Sequence, residues 1–259
     1  MRIAAIVEYD GSRFSGWQLQ DGDRSVQGCV EEALSKVANE SLRVTVAGRT
    51  DAGVHASGQV IHFDSDAKRR DYEWLRGANS NLPDDVAILW AGQVDSSFHA
   101  RFSAIGRHYR YIILNRSVRP TYLAKRVTWE YRSLDIVPMQ RAAKTLIGTH
   151  DFTSFRAMQC QAKDPVKDLR RLEVSRNGEF VTIHAHANAF LHHMVRNIAG
   201  VLMSIGAGEQ TSEWARDVLA ARDRTVAGVT APAHGLYLTA LEYPQHFQIP
   251  PLSPGPELW

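Results

Sequence analysis

The stretch Leu42-Arg43-Val44-Thr45-Val46-Ala47-Gly48-Arg49-Thr50-Asp51-Ala52-Gly53-Val54-His55-Ala56, followed closely by Gln59-Val60-Ile61-His62-Phe63, sets the reading of the chain. Apolar and other residues alternate over 42–46, and β-forming residues gather over 59–63. That pattern predicts a strand, a tight loop and a second strand. The loop holds two glycines, an arginine, an aspartate and a histidine within a few positions. Glycine lets a backbone approach a ligand closely or turn with positive φ. Arg49 beside Asp51 sets an anion binder and a carboxylate at one mouth. An ordinary turn, for which Asp and Gly are the usual residues, is the competing reading.

On the N-terminal side, Arg2 to Tyr9 predicts a strand, and Ser25 is placed to cap a helix with Val26, Val30, Ala33, Leu34 and Val37 on one face. On the C-terminal side, Tyr72 to Ala78 predicts a short helix and Val86 to Trp90 a strand. A second set of elements begins near Phe98. His108 to Leu114 and Val127 to Arg132 are strand-like, and Asp135 opens a helix carrying Met139, Ala143, Leu146 and Ile147. Leu169 to Ser175 and Phe180 to Ala187 flank Asn177-Gly178, a strong hairpin signal. Phe190 to Ile205 is the strongest helical pattern, Glu213 to Arg222 a shorter one, and Leu236 to Tyr243 a final strand. His150 to Lys167 lacks periodicity and reads as a long loop, of the kind that is often functional.

Strands thus come in pairs with helices between them, in two successive sets, and no glycine fingerprint joins strand to helix in a doubly wound pattern. The expected fold is α+β, two similar domains with largely antiparallel sheets adjoining and helices on the outer side. The expected domains are 1–100, with the Asp51 loop, and 101–243. A proline-rich tail, 244–259, should be extended and irregular.

The chain has 259 residues, 44% hydrophobic and 22% charged, which is ordinary for a globular protein with a sizeable core. No apolar run approaches a membrane span, and the N-terminus turns acidic at Glu8 before a signal-peptide core could form. Cys29 and Cys160 stand far apart, as expected of reduced thiols in a cytoplasmic protein. Net charge is only +2, but its distribution is uneven. Arg101, Arg107, Arg110, Arg116, Arg119, Lys125, Arg126 and Arg132 fall in one window with Glu130 as its single acid. Phe102, Tyr109, Tyr111, Tyr122, Trp129 and Tyr131 are interleaved with them. Such a strip can grip phosphates and stack bases. His184, His186, His192 and His193 could sketch a zinc site, but no cysteine or acid falls at matching spacing. Histidines packed under a cleft, without a metal, are expected instead.

Taken in order, Tyr9-Asp10-Gly11, Phe14 and Gly16-Trp17-Gln18 form a first block, and Gly48 to Ala56 a second. Phe98-His99-Ala100-Arg101-Phe102-Ser103-Ala104 with Arg107 to Tyr111, then Gly148 with His150 to Phe155, then Met194-Val195-Arg196-Asn197 and Gly235-Leu236-Tyr237-Leu238 complete the set. This ordered series resembles the bacterial tRNA pseudouridine synthase A family over nearly the whole chain. The resemblance implies a homodimer with a basic active-site cleft between two domains in each subunit. It also implies cofactor-free isomerisation of uridines at positions 38 to 40 of the tRNA anticodon stem-loop. The family's catalytic aspartate falls on Asp51, its base-flipping arginine on Arg49, its base-stacking tyrosine on Tyr109 and the arginine that pairs with the aspartate on Arg196. Family tRNA contacts fall on Arg69, on Phe98, His99, Ala100, Arg101 and Phe102, and on Gln159, Cys160, Gln161, Ala162 and Lys163.

The chemistry suits these residue types. Conversion to pseudouridine breaks the N1–C1′ bond, rotates the uracil and rejoins it through C5 without change of oxidation state, so no redox cofactor is needed. One carboxylate serves, by attack on C1′, by removal of the 2′-proton through a glycal, or by addition to C6. The three routes stay open at this level. A nearby arginine such as Arg196 would keep that carboxylate ionised in a partly dry pocket. The plain alternatives are an exposed helix arginine at 196, a surface ion pair at Arg49 and a sheet-core tyrosine at 109. For the whole chain, a non-catalytic RNA-binding module and an aspartate-dependent hydrolase compete. The first gains nothing from a carboxylate among phosphates, and the second usually wants another carboxylate or a metal cluster.

Overall fold

The computed structural model describes residues 1–158, 160 and 162–251. Among these are ten strands and five α-helices, in two compact units. Among the described residues, the first takes Met1–Ile105 and 237–251, and the second takes Gly106–Leu236.

In the first unit, β1 (Arg2–Tyr9) lies between β4 (Val86–Gln93) and β3 (His55–Asp64), antiparallel to both. The short β2 (Thr45–Val46) pairs with β3 in the register Thr45↔His62. The last strand of the chain, β10 (Leu236–Glu242), runs parallel to β3 through Tyr237↔His55 and Leu238↔Ala56. The linear order of elements suggested that this strand closes the second domain. From Tyr237 the strand belongs to the first compact unit, and the residues after it bring Tyr243 and Phe247 against that unit's core. Helix α1 (Val26–Ala38) starts where Ser25 predicts, with Ser25 Oγ accepting from Gly28 N–H at 3.2 Å. Helix α2 (Asp71–Asn79) buries Trp74 edge-on against Phe63 of β3.

Both faces of β1 are covered, which is why Ile3 to Val7 is an unbroken buried run. Ala4 and Ile6 pack with Val60, Phe98, Ala100 and Phe247. The start of the tail differs from the irregular segment expected, while 248–251 have no regular structure. Gln245–Phe247 forms a 3-10 turn that seats Phe247 against Phe98 at 5.2 Å between ring centroids. The end of the chain, 252–259, lies outside the described residues.

The second unit's sheet runs β5 (Gly106–Asn115), β9 (Phe180–Ala187), β8 (Val166–Asn177), β7 (Gly148–Asp151), antiparallel throughout, with β6 (Thr128–Glu130) parallel to β5. The stretch from His150 is thus not all loop, since Gly148 to Asp151 form a strand along β8. Four residues with little apolar alternation leave too weak a periodic signal to read. Helix α3 (Ile136–Thr145) begins at Asp135, whose carboxylate accepts from Val137 N–H at 2.8 Å. Helix α4 (Met194–Gly206) is buried nearly all round, and α5 (Trp214–Ala221) follows. The expected start of α4 at Phe190 is four residues early. His193 adopts a left-handed conformation (φ 62°) that breaks the helix before Met194. Phe190 instead meets the ring of Tyr109 edge-on at 5.1 Å.

Candidate active site

The Asp51 loop is held by the first sequence block. Tyr9 is buried, and its hydroxyl shares a hydrogen bond of 2.8 Å with that of Thr50. Burial pushes the Tyr9 phenol up to about 12, so it stays neutral. Trp17 N–H donates to Thr50 O at 3.0 Å, and Val54 N–H closes a turn onto Asp51 O at 3.1 Å. Gln59 of β3 donates to Gly48 O at 2.7 Å. Gly11 lies so close beneath that a Cβ there would come within 2.0 Å of Val54 O. The backbone on both sides of Asp51 is therefore fixed, while Asp51 itself is half-buried and Arg49 exposed. Among the described residues, the Arg49 side chain makes no hydrogen bond or ion pair.

His55 is buried behind the loop. Its Nδ1 lies 3.1 Å from Gly11 N and 3.2 Å from Asp10 Oδ1, and its ring stacks on Tyr237 at 4.5 Å. One imidazole ties together the first block, the loop and β10. A bare Nδ1 accepts from Gly11, and a protonated one donates to Asp10.

The segment from Phe98 to Phe102 divides in two. Phe98 and Ala100 are fully buried. Ala100 N–H donates to His62 Nδ1 at 3.1 Å, and Ala100 O accepts from the Tyr243 hydroxyl at 2.6 Å. Both side chains pack in the core, away from solvent. Phe102 is 76% exposed, and the Arg101 guanidinium lies over its ring at 5.6 Å. His99 sits under Phe102 at 4.3 Å, its Nδ1 accepting from Arg101 N–H and Phe102 N–H, each at 3.2 Å. Arg69 is exposed but its Nε donates to Val37 O, at the end of α1.

In the second unit, Tyr109 is half-buried on β5. Two residues on, Tyr111 is fully buried, with its hydroxyl 2.6 Å from Thr128 Oγ1 and donating to Pro232 O at 2.9 Å. Arg196 lies in the first turn of α4, where its Nε donates to Ala231 O at 2.8 Å. Its charge helps hold the His234 imidazole below its ordinary range, after burial. Ahead of the same helix, His192 and His193 lie ring to ring at 4.0 Å, beside a groove of about 480 Å³ also lined by Met158, Arg224, Thr225 and Thr230. Farther along the sheet, His186 stacks on His108 at 4.0 Å. Of the loop expected to touch RNA, Gln159 and Gln161 lie outside the described residues. Cys160 is a half-buried free thiol, and Ala162 and Lys163 are exposed.

The basic strip is less available than its composition suggested. Arg132 is tied to Glu130 at 2.5 Å and to Glu209, and Arg116 to Glu179 at 3.2 Å. Glu130 and Glu209 raise Arg132 further above its ordinary range. A window of sequence does not see acids that return from far along the chain. Tyr122 and Tyr131 remain largely exposed, whereas Tyr111 belongs to the core.

Two mixed α/β units, an aspartate on a rigid glycine-rich loop and an arginine at a buried helix's first turn fit an RNA-modifying isomerase. A family model described as tRNA pseudouridine synthase matches residues 5–103 and 142–244. The chain belongs to that family, whose members isomerise uridine in tRNA to pseudouridine. It is similar along its full length to a protein from Nitrosococcus oceani named tRNA pseudouridine synthase A, at 58% identity over 259 residues and 100% of both chains. A Pseudomonas aeruginosa protein of the same name is 56% identical over 98% of this chain and 90% of its own. One from Klebsiella pneumoniae is 52% identical over 98% and 94% respectively. No helix among the described residues is long and apolar enough to cross a membrane.

Proposed function

We propose that this chain converts uridines at positions 38 to 40 of the tRNA anticodon stem-loop to pseudouridine, with Asp51 as the reacting carboxylate. The observation that carries the reading is the contrast at the loop. Its backbone is pinned from Thr50 through Val54, while Asp51 is half-buried at its tip. Such a group is held in place before substrate arrives, which lowers the cost of orienting it. The N1–C1′ bond breaks, the uracil turns, and C5 takes the place of N1. One proton leaves C5 and one is gained at N1, so the sum is an isomerisation.

The remaining residues take supporting parts. Arg49, exposed and unengaged among the described residues, binds backbone phosphate and fills the space of the extruded nucleotide. Tyr109 stacks on the uracil. Arg196 keeps Asp51 ionised. Arg101 and Phe102 contact RNA by charge and stacking, with Lys163 and Ala162 at the second contact segment. The reaction as proposed uses neither metal nor cofactor. The working form is a homodimer in the cytoplasm, and an active monomer by light scattering would count against that assembly.

The test is tritium release from C5-labelled uridine in unmodified tRNA. Asp51→Asn should bind tRNA within about threefold of wild type and lose at least about a thousandfold in rate. Turnover near wild type would refute Asp51 as the reacting group. Mapping the product by position checks 38 to 40, and modification elsewhere would overturn that part alone.

A further inference from the structure

Arg196 is set in place by a segment distant in sequence. Its Nε donates to Ala231 O at 2.8 Å, and Ala231 N–H donates back to Arg196 O at 3.2 Å. The segment ending at Ala231 lies against α4 so closely that a Cβ at Gly200 would fall 1.9 Å from Val229 O. Asn197 holds it there. That side chain is fully buried, and its Oδ1 accepts from Thr230 Oγ1 at 2.6 Å and from Arg224 Nη2 at 3.2 Å. Its Nδ2 donates to Phe155 O at 2.6 Å. Arg224 Nη2 also donates to Thr230 Oγ1 at 3.0 Å, and Nη1 to Ala227 O at 3.2 Å.

The donors and acceptors agree without conflict. The Thr230 hydroxyl gives its one proton to Asn197 and takes one from Arg224, and Asn197 Oδ1 fills both its lone-pair positions. A network satisfied in this way around the fully buried Asn197, with Thr230 and Arg224 half-buried, is rigid. We propose that Thr230 and Asn197 are positioning residues for Arg196, acting through the carbonyl of Ala231 to fix the plane of its guanidinium. Orientation counts because a guanidinium recognises a carboxylate or phosphate as a planar fork. Losing the anchor at Nε removes a contact that sets the plane while the charge is unchanged.

This inference rests on the proposal that Arg196 serves the reacting carboxylate, and the experiment separates the two. Thr230→Val keeps the shape of the side chain and removes the hydroxyl. It should lower kcat roughly tenfold with KM for tRNA within about twofold. Thr230→Ser should restore the rate to within about threefold of wild type. Arg196→Lys keeps the positive charge but has no Nε, so Thr230→Val in that background should change kcat by less than about twofold. In isotope-labelled protein, the Arg196 Nε–H resonance should be protected from solvent exchange in wild type and Thr230→Ser, and exposed in Thr230→Val. A Thr230→Val effect of equal size in both backgrounds, or an unchanged Nε–H signal, overturns the positioning role. Wild-type kcat in Arg196→Lys and Arg196→Ala would instead overturn the reading of Arg196 on which it rests.

Discussion

At the scale of single residues, the glycines in and beneath the Asp51 loop differ in what surrounds them. Gly11 faces Val54 O at a distance no Cβ tolerates, whereas a Cβ at Gly48 would meet nothing within 4 Å. Gly11→Ala should therefore cost about 2 kcal/mol or more, since backbone on one side must move. The same displacement should lower kcat, because the moved backbone carries Asp51. Gly48→Ala should leave urea stability within about 0.5 kcal/mol of wild type. If ribose and phosphate approach the loop at Gly48, that variant raises KM for tRNA while the fold is untouched. Equal stability of the two variants in urea titrations would contradict the packing argument. The motif in the sequence marked both glycines alike. Only the path of Tyr9 to Gly11 beneath the loop tells them apart.

At the scale of elements, β3 links the Asp51 loop to the segment from Phe98 to Phe102 through His55 at one end and His62 near the other. His62 is buried, and burial, followed by the charges of Arg2 and His99, lowers its pKa to about 4. The unfolded chain takes up this proton near the ordinary value of 6.5, whereas the folded chain resists it until about 4. Between those values the unfolded state holds more protons, so stability falls as pH drops from about 6.5 toward 4. The loss from this one group is at most about 3 kcal/mol. His62→Asn, whose amide oxygen can still accept from Ala100, should flatten the part of the pH dependence above pH 5 in urea unfolding. An unchanged slope would show that His62 is not the titrating group. Most elements were legible in the sequence for local reasons: Ser25 and Asp135 cap their helices, and Gly178 turns its hairpin. What could not be read were pairings made at long range. These are the strand at Gly148–Asp151, the attachment of β10 to β3, and the ion pairs of Arg116 with Glu179 and of Arg132 with Glu209. Asp51 stood out as a candidate because its loop chemistry is local. The burial of Phe98 and Ala100 was not legible, because it depends on residues far away in the chain, from Ala4 and Ile6 to Tyr243 and Phe247.

At the scale of the whole molecule, the late arrival of Tyr243 and Phe247 joins stability to RNA binding. The chain passes through the second unit, returns at Tyr237 and ends the first unit's core with Phe247, which is 8% exposed. Phe98 is packed between Tyr243 and Phe247, at 5.1 and 5.2 Å, and the Tyr243 hydroxyl holds Ala100 O. Arg101 and Phe102 thus project from a turn whose inner side is sealed by the C-terminal segment. Phe247→Ala should destabilise the protein by about 2–4 kcal/mol, the usual range for an aromatic removed from a core. By loosening the turn, it should also weaken tRNA binding. Arg101→Ala and Phe102→Ala should weaken binding with stability nearly unchanged, because both side chains lie in solvent. The two effects separate on salt. Removing Arg101 should lower the slope of log affinity against log salt by about one if it meets a phosphate. Removing Phe102, which offers only stacking, should leave the slope alone. Phe247→Ala should recover affinity as temperature is lowered and the turn re-forms, whereas Arg101→Ala should not. Filter binding over a range of salt and temperature reads all three. A Phe247→Ala protein that loses stability but keeps full affinity at every temperature would show that the turn holds its shape without the returning chain.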